Sequence, residues 1–263
     1  VIPRADIVEW RAFAPWKNDA QVEQDLILSR LIVELFRDPL IRIGLLFRGG
    51  TALHKLFLPP AARYSEDLDL VQRTASPIGP VISAIRSIGD ALLGKPKIRQ
   101  KKDSVILLFR ANSEIPPVVL LRVKVEIDTR EHFSAFPTIH KPFSVQSRWF
   151  SGEALVQTYS LEELLATKLR ALYQRKKGRD LFDIWYGVTE GKADPRKIVL
   201  GFARYIEAGN LMISQEQMRD NIQLKIKEIE FLRDIESLVR PEIPYSPEDA
   251  YALVDETILA HLD

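Results

Sequence analysis

The chain has 263 residues, 46% hydrophobic and 28% charged, a composition that excludes a disordered tract and leaves room for one large domain or two modest ones. With 37 basic against 36 acidic side chains the net charge is +1, so any surface for nucleic acid or membrane must be local. The lack of cysteine excludes disulfides, thiolate nucleophiles and cysteine-ligated metal centres.

The histidines, His54, His132, His140 and His261, show no HxH or HExxH spacing, which leaves the chemistry to carboxylates, hydroxyls, lysines, arginines and backbone amides. No apolar run approaches the roughly 18 residues of a membrane span. The opening VIPRADIVEWR introduces charge too early for a secretory signal. A soluble cytoplasmic protein with no membrane partner is expected, and the leading valine leaves open whether residue 1 is the native start.

In chain order, Val22, Leu26, Ile27, Leu31 and Leu35 recur at helical spacing and predict a helix over residues 19–36, stopped by Asp38-Pro39. An apolar run over 41–47 leads into Arg48-Gly49-Gly50-Thr51, followed by a short helix over 51–58 that Pro59-Pro60 closes. The alternation Asp67-Leu68-Asp69-Leu70-Val71 has the period of a strand. A helix is predicted over 80–93, ending at Gly94, then strands over 105–109 and 118–127 about a turn at 112–117.

From Ser160 the pattern turns helical. Ser160 with Glu163 reads as a capping box opening a helix over 161–176, and Ser214 with Gln217 as another opening a long helix towards Val239. Ser246-Pro247 starts the last one. The expected fold is α/β: a mixed β-sheet flanked by helices over residues 1–150, then a helical C-terminal domain over 151–263, the boundary in the polar stretch 147–152.

The chemistry concentrates in three carboxylates. On strands, Asp67 and Asp69 point to one face, and the alternation Lys124-Val125-Glu126-Ile127-Asp128 puts Lys124, Glu126 and Asp128 on one face. Brought together on neighbouring strands, Asp67, Asp69 and Glu126 would repel one another unless a divalent cation sat among them, and oxygen-only ligands suit Mg²⁺ or Mn²⁺. Gly49 and Gly50, between an apolar run and a helix, let the backbone approach a phosphate, and Thr51 adds a hydroxyl. The spacing is not that of a Walker loop. Taken singly, each feature reads sooner as a plain turn or a charged strand face; the ordered set is far more specific.

That ordered set, RGGTALHKLFLPPAARYSEDLDLV, resembles the active-site signature of the DNA polymerase β-like nucleotidyltransferases, with a longer Gly50-to-Asp67 spacing. With VKVEIDTRE and LEELLATKLRALYQRKKGRDLFDIW, it resembles the AbiEii/AbiGii toxin family over residues 47–185. The resemblance implies an Mg²⁺-dependent nucleotidyltransferase toxin of a toxin–antitoxin or phage-exclusion system. It would transfer a nucleotide from an NTP to the 3′ end of tRNA, and a cognate antitoxin would be its partner.

By residue, the resemblance implies Gly49 and Gly50 at the triphosphate turn and Ser65 as the hydroxyl before the metal acids. Asp67 and Asp69 match the metal pair. Glu126 matches the third acid, helping to deprotonate the attacking hydroxyl, with Asp128 its neighbour. Lys168 and Arg179-Asp180 match the C-terminal helical motif, with Lys168 positioned to meet the triphosphate and, with Asp180, to face the cleft.

Other readings stay open: a small molecule or protein hydroxyl as acceptor, or a nucleotide-binding module without turnover. Asp183 reads as a surface partner of Arg179 four positions earlier. The basic run Arg170, Arg175, Lys176, Lys177, Arg179 reads equally as an RNA contact or a solvated helix end. Lys55 and Arg63 flank the site within reach of phosphates. His54 reads as a partly exposed structural residue, and Trp10, Trp16, Trp149 and Trp185 as packing residues.

Overall fold

A computed structural model describes residues 2–262. Its chain divides into two compact units. One runs up to Phe133 and includes Thr138–Thr158; the other combines Ser134–Pro137 with the chain from Tyr159 onward.

The first unit contains, in order, α1 (Arg4–Trp10), α2 (Asp19–Arg37), α3 (Pro39–Gly44), β1 (Leu45–Arg48), α4 (Gly49–Leu56), β2 (Asp67–Gln72) and α5 (Gly79–Leu93). These are followed by β3 (Lys97–Gln100), β4 (Ser104–Asn112), β5 (Leu120–Asp128), β6 (Ile139–Gln146) and β7 (Ser151–Thr158). The strands form one mixed seven-stranded sheet in the order β3-β4-β5-β2-β1-β7-β6. Strands β2 and β5 pair in parallel, as do β1 and β7; the remaining neighbours are antiparallel.

Helix α2 ends where proline predicts, and Asp38 then caps α3 by accepting from the amides of Leu40 and Ile41. The apolar run 41–47 is therefore two elements, a helical turn and then the buried strand β1. Alternation sorts the sheet's faces. Val105, Leu107 and Phe109 of β4 and Val123, Val125 and Ile127 of β5 are buried, whereas Lys124, Glu126 and Asp128 keep partial access to water. Helix α5 closes over β4 with Gly89 against the Phe109 ring, where a β-carbon would not fit. Of the stretch 147–152 where a domain boundary is expected, residues 147–150 are the turn of the β6–β7 hairpin, closed by Ser147 and Phe150, and 151–152 open β7.

The second unit is helical: α6 (Leu161–Gln174), α7 (Gly178–Thr189), α8 (Pro195–Ala208), α9 (Gln215–Lys225), α10 (Ile229–Glu236) and α11 (Pro247–Thr257). Ser214 and Gln217 form the predicted reciprocal box. Ser160 accepts from the Glu163 amide, but the Glu163 carboxylate is diverted to the amides of Ala135 and Phe136 and the Tyr205 hydroxyl. That diversion fastens the 134–137 segment to this unit. The single helix expected from Ser214 to Val239 is two, α9 and α10. At the break Lys225 turns inward, donating to the Leu172 and Tyr173 carbonyls at the end of α6. No helix among the described residues is long and apolar enough to cross a membrane.

Candidate functional site

Strand register assembles the acids. Asp69 of β2 lies opposite Arg48 of β1 on one side and Glu126 of β5 on the other, while Asp67 lies opposite Lys124. Residues directly opposed in a sheet share a face, so Asp67, Asp69, Glu126, Lys124 and Arg48 all project from the same side. This answers what the sequence left open: whether DxD and the later acid occupy neighbouring strands.

The diglycine is positioned against them. Gly49 opens α4 with φ +79°, a conformation that side chains other than glycine's rarely adopt, and a β-carbon there would fall on the Asp69 carboxylate. A β-carbon on Gly50 would press on the guanidinium of buried Arg63 and on Ser65 Oγ. Thr51 is buried; its hydroxyl donates to the Asp67 carbonyl at 2.6 Å and lies 2.9 Å from Ser65 Oγ. Its visible work is to tie the start of α4 to the start of β2, which holds Gly49, Gly50 and Ser65 beside the acids.

Lys124 Nζ stands between two of the carboxylates, 2.9 Å from Asp67 and 3.1 Å from Glu126. Burial alone would lower its pKa, but its hydrogen bonds to Asp67 and Glu126 and the charges of Asp67 and Asp69 outweigh burial and raise it. Among the described residues no group of three or more His, Asp or Glu side chains converges as a ready cation cage. The donors nonetheless fit a hard divalent ion. They are carboxylate oxygens at adjacent register positions, and two of them already share one cation, the Lys124 ammonium.

Asp128 is differently engaged. It accepts from Arg48 at 2.9 Å and from the amides of Arg130 and Glu131, and these donors hold its pKa below the ordinary range despite burial. Arg48 also reaches Glu131 at 2.7 Å. Asp128 therefore positions Arg48, a residue that sequence reasoning did not single out although it directly precedes the diglycine.

In the second unit, Lys168, Asp180 and Asp183 form a buried cluster. Lys168 Nζ lies 3.1 Å from Asp180 and 2.8 Å from Asp183, and Arg175 forks onto Asp180 at 2.7 and 2.8 Å. Burial would raise Asp180, but the charges of Lys168 and Arg175 reverse that and lower it. Asp183 is thus no surface residue. It is buried against Lys168, and Arg179, its expected partner, instead bonds Asp234 of α10.

The basic run is largely spent internally. Lys176 pairs with Glu228, Lys177 and Arg179 with Asp234, and the Arg170 guanidinium lies over the Tyr205 ring. Lys55 is held by Asp25 at 2.9 Å and by Ser29, and Arg63 reaches the Tyr64 carbonyl. Lys55 is thereby tied to α2, whereas the Arg63 guanidinium sits against Gly50 of the diglycine. His54, expected to be partly exposed, is buried on α4 because that helix turns it into the core. Trp10 and Trp16 donate their indole N–H groups to Asp25, and Trp149 lies beneath Arg30.

The family model described as "Nucleotidyl transferase AbiEii toxin, Type IV TA system" matches residues 30–253. No curated protein matches the sequence. Among solved structures, MenT4, a nucleotidyltransferase toxin from Mycobacterium tuberculosis, is similar with a TM-score of 0.70 at 18% identity, covering 100% of this chain and 91% of its own. JHP933 from Helicobacter pylori is similar with a TM-score of 0.55 at 15% identity, covering 91% of this chain and 90% of its own. At these identities the likeness is one of fold.

Proposed function

We propose, from the premise that this chain belongs to the AbiEii family of nucleotidyltransferase toxins of type IV toxin–antitoxin systems, that it transfers a nucleoside monophosphate from an NTP to the 3′-terminal hydroxyl of tRNA. The observation that carries the reading is the register of β1, β2 and β5, which aligns Asp69 with Glu126 and sets Gly49 against Asp69. In this reading the family's antitoxin is its protein partner and an NTP its substrate.

The acceptor oxygen attacks the α-phosphorus, the bond from that phosphorus to the β-phosphate bridging oxygen breaks, and pyrophosphate leaves. Glu126 takes the hydroxyl proton. Its carboxylate is oriented for that by Ser104 Oγ at 3.2 Å and by Lys124. Gly49 and Gly50 bring backbone amides at the start of α4 to the phosphates, with Ser65 alongside. Asp67, Asp69 and Glu126 would hold Mg²⁺, which when bound lowers the pKa of the attacking hydroxyl and neutralises the leaving group. Within the second unit, Asp180 and Asp183 hold the Lys168 ammonium in place.

The test is a transfer assay. Protein, total cellular RNA and Mg²⁺ are incubated with each α-³²P-labelled NTP, beside an Asp67→Asn variant. A labelled tRNA-sized band that the variant loses by at least 100-fold supports the reading and names the nucleotide. Label in protein or small molecules discards the tRNA acceptor. Nucleotide binding without any label would favour a module without turnover.

A further inference from the structure

We propose that the edge strand β3 and the adjoining rows of β4 and β5 form the surface that grips the phosphate backbone of the RNA acceptor. The proposal rests on the RNA-directed reading above and adds the residues that would hold that RNA.

The ladder places them. Lys97 lies opposite Leu108 and Arg99 opposite Ile106; Leu108 and Ile106 in turn lie opposite Lys124 and Glu126, which lie opposite Asp67 and Asp69. Lys97 and Arg99 therefore project from the same face as the carboxylates. By the ordinary spacing of strands they lie about 10 Å from β5 and about 14 Å from β2. Lys101 continues the alternation and reaches within 4.0 Å of Glu126. Arg110 and Arg122 share that face and lie directly opposite each other. The cations thus border the acidic cluster along two sides.

Their state is what distinguishes them. Every residue of β3 is exposed, as are Arg110 and Arg122, and none of Lys97, Arg99, Arg110 and Arg122 forms an ion pair among the described residues. Two like charges directly opposed across a ladder destabilise a sheet, so the Arg110–Arg122 pair would be relieved by an anion between them. The other basic concentration, around residues 175–179, is already matched by Asp180, Glu228 and Asp234. A lysine and an unpaired arginine on an edge strand also discourage pairing with a second sheet, but that does not account for the arginines on β4 and β5. Charges about 7 Å apart along a strand, with no aromatic platform among them, suit backbone phosphates rather than bases.

The test is direct binding of bulk tRNA to the full chain without NTP, followed across a salt series. Two double variants, Lys97→Gln with Arg99→Gln and Arg110→Gln with Arg122→Gln, are each expected to weaken binding at least tenfold. Each should make the slope of log K against log[salt] shallower by about 1.4, from roughly 0.7 per phosphate contact on single strands. The charge-conserving pair Lys97→Arg with Arg99→Lys should retain wild-type affinity. Unchanged affinity and slope in both Gln doubles would overturn the proposal. So would equal loss in the charge-conserving pair, no tRNA binding by the wild type, or equally tight binding of poly-glutamate. Because NTP is absent, a transfer assay that labels no RNA sinks the functional reading without deciding the surface.

Discussion

Gly49 shows how much one residue carries. Its positive φ and the Asp69 carboxylate at the place of a β-carbon mean that Gly49→Ala must either strain α4 or displace Asp69. Transfer should fall at least 100-fold, and stability by about 1–2 kcal/mol for a non-glycine residue in that region; labelled-NTP assays and urea melts would check both. Lys124 makes a second prediction at this scale. Lys124→Met leaves Asp67, Asp69 and Glu126 without the cation that two of them share, so the variant should melt lower than wild type in chelator. Adding Mg²⁺ should raise its melting temperature more than it raises that of the wild type, and equal shifts would refute the shared-cation account. The residue types of this site were legible in the sequence, because alternation and a diglycine are local patterns. Lys124 as counter-ion and Arg48 as the partner of Asp128 were not, since each depends on which strand lies alongside.

Between elements, the clamp of α7 onto α10 carries a pH dependence. Burial would raise Asp234, but the Arg179 fork and Lys177 outweigh it and take the carboxylate from an ordinary 3.8 to about 2. A depressed carboxylate contributes stability that is complete above about pH 4 and is lost as pH falls through 2. The shift sets a ceiling of about 2 kcal/mol, which solvent screening at the half-exposed Lys177 and Arg179 side chains reduces. Urea melts at pH 6 and pH 2.5 should therefore show wild type losing more stability than Asp234→Asn; parallel loss would place the effect elsewhere. At the same scale, Ser160 shows why a capping signature is incomplete information. The box at Ser214 closes as its spacing predicts, whereas Glu163 leaves its box for the amides of Ala135 and Phe136. A carboxylate near several donors takes the set that burial makes most expensive to leave unmet, and sequence spacing does not reveal that set.

For the molecule as a whole, ligand linkage tests the proposed site without requiring turnover. A non-hydrolysable NTP with Mg²⁺ at about 100 times its Kd stabilises by about 2.7 kcal/mol. That should raise the melting temperature by roughly 5–10 °C for a chain of this size. The double variant Asp67→Asn with Asp69→Asn should show no shift. An equal shift in that variant would place the nucleotide away from β2.

Local pattern along the chain specifies the α/β class, the change to helices near residue 160, and the order diglycine, DxD, third acid. Those are consequences of local period, proline and glycine chemistry, and residue spacing. Which β-strands are neighbours, and with them which charges are cancelled, is a property of the folded sheet alone. Apart from Asp180, which pairs with Arg175 nearby, the acids that neutralise the basic run at 175–179, Glu228 and Asp234, lie more than 50 residues further along the chain. The basic alternation on β3 meets Glu126 across one intervening strand and Asp67 and Asp69 across two. Charge along a sequence is a sum, whereas charge on a surface depends on pairing, and pairing across a sheet is a long-range event that no local pattern specifies.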